Sequence, residues 1–450
     1  MKHHDFTSGN IWRQLLVFSA PILLTNLLQV SYQLIDSFWV GNLIGANALG
    51  AVAVSSTVLF TVLSLILGIN NAALTILSQL KGRDEPIRLK RYVNAFTVCL
   101  TGMSIALGLV GFFLSDWLLR ILGTPEAMIS DAVSYLQINF IGILFLFGYN
   151  FIGTVFRALG NSKTPIRFVV MALLLNAVLD PLFIHTFQWG IDGAAYATIV
   201  SQGAAFLYGL IVSIREKLIP FSIPFIPKRE EVMLILNQGI PAGFQMMAIS
   251  AGMAAIMSVV TSFGNDATAG FGAAQRLDSL LMLPAHAIGT AVNSIAGQNI
   301  AAGQWKRVHR IAFYAVILNT VIMLAAAIGI VFFAEKSIRL FISDPEAVTF
   351  GAQYILLIAF FYPFLGINFV LNGIVRASGA MLQILLLNII SFWVLRYPLT
   401  FLFAEWIGEK GIAYGMGVSF MISSIFAISY YRFGNWKSCE LFKKRNNNEK

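Results

Sequence analysis

Gly190-Ile191-Asp192-Gly193-Ala194-Ala195-Tyr196 and Gly408-Glu409-Lys410-Gly411-Ile412-Ala413-Tyr414 are one segment written twice in the same chain. Working outward, Arg157-Ala158-Leu159-Gly160 returns as Arg376-Ala377-Ser378-Gly379 and Asp180-Pro181 returns as Tyr397-Pro398. Thr124-Pro125-Glu126-Ala127 returns as Asp344-Pro345-Glu346-Ala347, and Pro21 returns as Pro241. A shift of about 219 residues brings all of them into register. Apolar helices resemble one another by chance, but turn residues and an arginine recurring in order mark an internal repeat.

What repeats is hydrophobic. Of 450 residues, 58% are hydrophobic and only 11% charged, against about 25% charged in soluble domains. Apolar runs fall at 14–40, 48–80, 92–115, 131–156, 165–187 and 191–214. They fall again at 232–262, 268–302, 311–334, 347–375, 382–404 and 411–432. Each is long enough to cross a bilayer as a helix, which takes about 20 residues. The short alternating strands of a membrane barrel are absent from this pattern. The first run is too long for a cleavable leader, and Cys99 and Cys439 are too few for a disulfide framework.

The expected fold is therefore an all-α polytopic membrane protein of twelve transmembrane helices in two six-helix lobes. Six is even, so the halves form a parallel pseudo-two-fold repeat, an architecture of transporters whose substrate path lies at the repeat interface. The expected division is an N-lobe at 1–216, a Pro-rich cytoplasmic linker at 217–231, a C-lobe at 232–434 and a basic cytoplasmic tail at 435–450. Pro220, Pro224 and Pro227 keep the linker from continuing a helix.

Placing alternate loops on opposite sides sorts the 30 basic residues sharply. One side holds only Arg120, Lys336, Arg339 and Lys410; Arg276 and Arg396 fall within spans, and all the others share the opposite side. Lys and Arg stay in the cytoplasm, so both termini are expected on that side of a plasma membrane. The net charge of +9 thus reads as topology and attraction to the lipid bilayer, not as a nucleic-acid footprint.

Five charged residues lie deep in apolar runs: Asp36, Asp180, Arg276, Asp278 and Arg396. A central charge costs about 2.5–3.5 kcal/mol to insert, so each needs a partner, a wet cavity or a proton. Gln29, Tyr32 and Gln33 precede Asp36 at helical spacings and share its face. Asn176 stands one turn before Asp180, Pro181 leaves the Ala177 carbonyl without its helical donor, and Thr198 adds a hydroxyl from the sixth span. Asp36, Asn176, Asp180 and Thr198 together suit a proton or a small cation held by oxygen. Burial disfavours a charged carboxylate and two nearby carboxylates compete for one proton, so coupling to protons follows from ordinary electrostatics. Arg276 and Asp278, two apart, do not face each other, and a structural role in the second lobe is expected for them. Arg396 either neutralises an acid or lines the cavity. Met246, Met253 and Met257 form one stripe of the seventh span, suited to a promiscuous apolar wall or to simple packing.

Ala273-Ala274-Gln275-Arg276-Leu277-Asp278-Ser279-Leu280-Leu281-Met282-Leu283-Pro284 and the following Gly297-Gln298-Asn299-Ile300-Ala301-Ala302-Gly303-Gln304 resemble the eighth span of the multidrug and toxic compound extrusion (MATE) family. Val30-Ser31-Tyr32-Gln33-Leu34-Ile35-Asp36-Ser37-Phe38-Trp39-Val40-Gly41 and Arg157-Ala158-Leu159-Gly160-Asn161 resemble it too, closest in kind to its bacterial DinF-like branch. The resemblance implies an N-lobe coupling site of a first-span Asp, an Asn-x-x-x-Asp pair and a sixth-span Thr, matched by Asp36, Asn176, Asp180 and Thr198. It departs in the C-lobe: Ile256 stands where the repeat aligns Asp36, and the tenth span offers Asn368 and Asn372 but no carboxylate.

The function expected is secondary active efflux by alternating access, with H⁺ preferred over Na⁺ as coupling ion and no other cofactor. Hydrophobic organic cations, whether drugs or metabolites, are the substrates the resemblance implies, and a monomer is expected. A lipid-linked saccharide flippase of the same superfamily is the alternative, but two internal arginines make a poor pyrophosphate cavity. An integral-membrane transferase ranks lower: His3, His4, His185, His286 and His309 show no metal-ligand spacing. The chain also lacks a phosphate-cradling Gly-Lys loop and a serine nucleophile elbow.

Overall fold

The computed structural model describes residues 5–216, 219–220, 224–439 and 441–442. Among these the elements are all helical. In the first half they are α1 (Ile11–Leu43), α2 (Ala46–Gly82), α3 (Pro86–Ile121), α4 (Glu126–Ala158), α5 (Thr164–Thr186) and α6 (Gly190–Arg215). In the second they are α7 (Arg229–Thr261), α8 (Asn265–Ala301), α9 (Trp305–Arg339), α10a (Pro345–Ala359), α10b (Tyr362–Ser378), α11 (Met381–Ile407) and α12 (Lys410–Phe433). Eleven of these helices are long and apolar enough to cross a membrane, and α10a with α10b, bent by 57°, pass the same test together as a twelfth. The all-α fold of twelve spans in two repeated lobes is the one the sequence leads one to expect.

Three of the five repeated motifs lie at helix boundaries. Gly160 closes the turn after α4 with φ +87°, and Gly379 closes the one after α10b with φ +100°. Gly190 and Gly408, which open the twice-written segment, have φ +56° and +67°. Only glycine takes such angles without a Cβ penalty, so the spelling of these loops is conformational.

Packing divides the described residues into two units. Unit 1 runs over Leu24–Gly243; unit 2 takes Asp5–Leu23 and Phe244–Lys450. These units differ from the lobes drawn at 1–216 and 232–434: the start of α1 packs in unit 2 and the start of α7 in unit 1. Both divisions come two residues after a proline, Pro21 in α1 and Pro241 in α7. A helix-interior proline removes a backbone hydrogen bond and clashes with the turn before it, so the chain changes neighbours there.

In unit 2, Phe6, Leu15, Phe18 and Ile22 are buried against Ile288, Val292 and Ile295 of α8 and Val308 and Ile311 of α9. Arg307 fastens this segment by donating to the carbonyls of Phe6, Ser8 and Gly9. In unit 1, the start of α7 crosses α2 so closely that Gly68 meets the Gly243 backbone. The linker's described residues dock on α3: Asn94 exchanges two hydrogen bonds with the Phe225 backbone, and Arg91 pairs with the buried Glu231 at 2.6 Å. Residues 217, 218 and 221–223 of the linker, and 440 and 443–450 of the tail, lie outside the described residues. The tail begins as a turn, Asn435–Cys439, whose Trp436 is fully buried and stacks on Tyr431. Leu109, Phe113, Leu174, Val178, Phe313 and Phe332 are exposed, as lipid-facing residues of a membrane helix must be.

Candidate functional site

In unit 1 the structure gathers Asp36 of α1, Asn176 and Asp180 of α5 and Thr198 of α6. All four are buried, Asn176 and Asp180 completely. Asn176 Nδ2 donates to Asp180 Oδ1 at 2.9 Å, the one-turn contact their spacing allows. Thr198 Oγ1 lies 3.5 Å from Asp36 Oδ1, at the outer limit of a hydrogen bond. Asp36 and Asp180 are near enough to feel each other's charge. Among the described residues neither forms an ion pair.

The cluster holds more oxygen than donors. Asp180 Oδ2 and Asn176 Oδ1 are buried without a hydrogen-bond partner among the described residues. Buried polar atoms are nearly always paired, so this concentration marks a place kept ready for a proton, a cation or water. Of these oxygens only the carboxylate can bind a proton, while a neutral amide oxygen can accept a hydrogen bond or ligate a cation. Among the described residues no three His, Cys, Asp or Glu side chains gather as a metal site.

Backbone irregularity accompanies the chemistry. Pro181 follows Asp180, and Leu182–Thr186 then winds as a turn of π-helix, a widening common at functional positions in helices. The equivalent irregularity in α11 is Ile390–Arg396, ending on the buried arginine.

Other expected lining residues are distributed unevenly. Gln29 donates to the Tyr149 hydroxyl at 3.3 Å, and Tyr32 stands within electrostatic reach of both carboxylates. Gln33 is exposed and outside the cluster. Met246 is partly buried, while Met253 and Met257 pack on the core formed by α8, α10a and α10b, as packing residues do. Two neighbours escaped the sequence reading: Tyr135 and Tyr149 come from α4, Tyr135 within reach of Asp36 and Asp180 and Tyr149 accepting from Gln29. A cavity of about 590 Å³ lined by Phe183, Trp189, Asp192, Tyr196 and Val200 includes none of the cluster.

In unit 2, Arg396 is buried between Phe392 and Phe420, its guanidinium carbon 3.8 and 4.5 Å from their ring centres. It donates to Ser419 at 3.3 Å. Arg276 is exposed, whereas Asp278 accepts from the hydroxyls of Tyr354 and Tyr362. Asn372 donates to Asn368 within α10b, at 2.8 Å.

The sequence matches the MatE family model twice, over residues 21–182 and 241–402, each match starting at one of the paired prolines. It is 63% identical over 445 residues to the probable multidrug resistance protein YpnP of Bacillus subtilis (strain 168), covering 99% of this chain and 100% of that one. A second protein of that organism, the probable multidrug resistance protein YoeA, is 28% identical over 96% of each chain. Among solved structures, a MATE crystal structure in complex with MaL6 shares the fold with a TM-score of 0.91 at 21% identity, over 98% of this chain and 99% of that one. The doubled match, carried by the same repeat that orders the helices, and the likeness to YpnP along almost its whole length establish that this chain belongs to the MATE family.

Proposed function

We propose that this protein is a secondary efflux transporter that admits protons to expel small organic cations by alternating access. The observation that carries the reading is the unit 1 cluster: two buried carboxylates share one polar pocket, and neither forms an ion pair. A buried carboxylate without a counter-ion is stable when it binds a proton or when a cation approaches it. Proton and cationic substrate therefore compete, and competition for one site is what an exchanger requires. The names of relatives point the same way, since YpnP is described as a probable multidrug resistance protein and the less similar MepA of Staphylococcus aureus as a multidrug export protein. Protons are preferred to Na⁺ because Asp36 and Asp180 stand within each other's field, and neighbouring carboxylates compete for one proton. The asymmetry of basic loops supports a plasma-membrane orientation with both termini in the cytoplasm.

The test is dye uptake by everted membrane vesicles under an imposed pH gradient without Na⁺, comparing wild type with Asp36→Asn. Gradient-driven uptake by wild type but not by a normally inserted Asp36→Asn variant is the expected outcome. Uptake that waits for Na⁺ would overturn the proton assignment and hand the same oxygens to sodium. Equal uptake by both proteins would remove the coupling site from Asp36.

A further inference from the structure

Asp278 is the carboxylate that the proposed coupling cycle leaves unused. It belongs to α8, a helix largely buried within unit 2, yet the side chain keeps partial exposure. Tyr354 of α10a donates to its Oδ2 at 3.3 Å, and Tyr362, the first residue of α10b, donates to its Oδ1. The 57° bend between α10a and α10b falls between those two tyrosines. One carboxylate thus ties together the two halves of a broken span.

The pattern of donors depends on protonation. An ionised carboxylate only accepts, and both of its oxygens are taken up by phenol hydroxyls here. A protonated carboxyl brings its own O–H and needs an acceptor on one side. Tyr354 can supply that acceptor because its hydroxyl has a second place to donate: the Met416 sulfur of α12, at 3.5 Å. A proton arriving on Oδ2 would then be donated to the Tyr354 oxygen while the Tyr354 hydrogen turns to Met416. The carboxyl O–H is the one covalent bond formed, its proton taken from water and returned to it when the carboxyl ionises. The other charged group near this assembly is Arg396 of α11, which is within electrostatic reach of Tyr354 but bonds Ser419 and lies between two phenyl rings. It forms no ion pair with Asp278 among the described residues.

We propose that Asp278 is a second proton-binding site, in the second lobe, whose loading rearranges the Tyr354 and Tyr362 clasp across the α10 bend. The proposal rests on the reading of this chain as an ion-coupled transporter, but the site can be tested without transport. The sample is the full chain in lipid carrying Asp36→Asn and Asp180→Asn, so that the unit 1 carboxyls are silent. Infrared difference spectra are recorded on stepping from alkaline to acid. A protonated-carboxyl C=O band that grows on acidification and vanishes on adding Asp278→Asn is expected. Tyr354→Phe should move that band while keeping it, which serves where Asp278→Asn misfolds. A spectrum unchanged by both substitutions would overturn the proposal. If instead Asp36→Asn and Asp180→Asn remove no band from wild type, the unit 1 reading fails and the Asp278 band is judged alone. In vesicles with a one-unit pH gradient, losing one coupled proton should lower the dye accumulation ratio about tenfold. An undiminished ratio in Asp278→Asn would show that its proton does no work in the cycle.

Discussion

At the scale of single residues, Asn176 matters through what Asp180 would lack without it. Among the described residues Asp180 Oδ1 receives only the Asn176 amide and its Oδ2 has no partner, so Asn176→Leu leaves a buried carboxyl without a donor from them. A hydrogen bond to a charged group is worth about 1.5–3 kcal/mol. Gradient-driven transport should therefore fall roughly tenfold to a hundredfold, taking about 1.4 kcal/mol per factor of ten. Because Asn176 acts through Asp180, adding Asn176→Leu to Asp180→Asn should cost nothing further. Initial uptake rates for the two single variants and the double variant complete this cycle, and additive losses would show that Asn176 acts elsewhere. The pair was legible in the sequence because a four-residue spacing on a helix is a contact. Tyr135 and Tyr149 were not, because tyrosines are common near membrane surfaces and only the packing of α4 brings Tyr135 toward the carboxylates and Tyr149 onto Gln29.

Whole helices show what a pattern of apolar residues leaves out. The run at 347–375 reads as one span, but the chain breaks between α10a and α10b. Pro363 has no N–H for the carbonyl of Ala359, the last residue of α10a, so the local chemistry of the break was present in the sequence. What the sequence lacked was the consequence, since the Asp278 clasp depends on tyrosines brought in from both sides of the bend. The crossing of α2 and α7 is similar: glycines mark it, but only packing names the partners. A Cβ on Gly68 would run into the backbone of Gly243 and Ala242, which cannot swing aside as a side chain can. Gly68→Ala should cost about 1–3 kcal/mol, the usual penalty of overpacking. Gly102→Ala is the control, because a Cβ there on α3 meets nothing. Thermal unfolding of the purified variants should show a lowered midpoint for Gly68→Ala alone, and equal midpoints would mean that this crossing yields.

For the molecule as a whole, the repeat carried most of the fold, because a parallel duplication gives both halves the same number of spans, the same sense of crossing and the same turn positions. It did not show that the opening stretches of α1 and α7 pack with the other half, since sequence order assigns a helix to the lobe it is written in. Orientation rests on the basic residues, and it can be checked at one loop from each side. Lys163 lies in the turn between α4 and α5 and Lys410 starts α12; both side chains are exposed, so a cysteine at either position is reachable. With Cys99 and Cys439 replaced, Lys410→Cys should react with a membrane-impermeant maleimide in intact cells. Lys163→Cys should react only after the membrane is opened. Each carries one label, so the comparison does not depend on how fast either thiol reacts. The reverse pattern would invert the whole molecule, and the coupling cycle would then run as uptake. Labelling of both from outside would mean that an even number of spans lies between the two loops, as it would if the bent α10 pair did not cross as a single span.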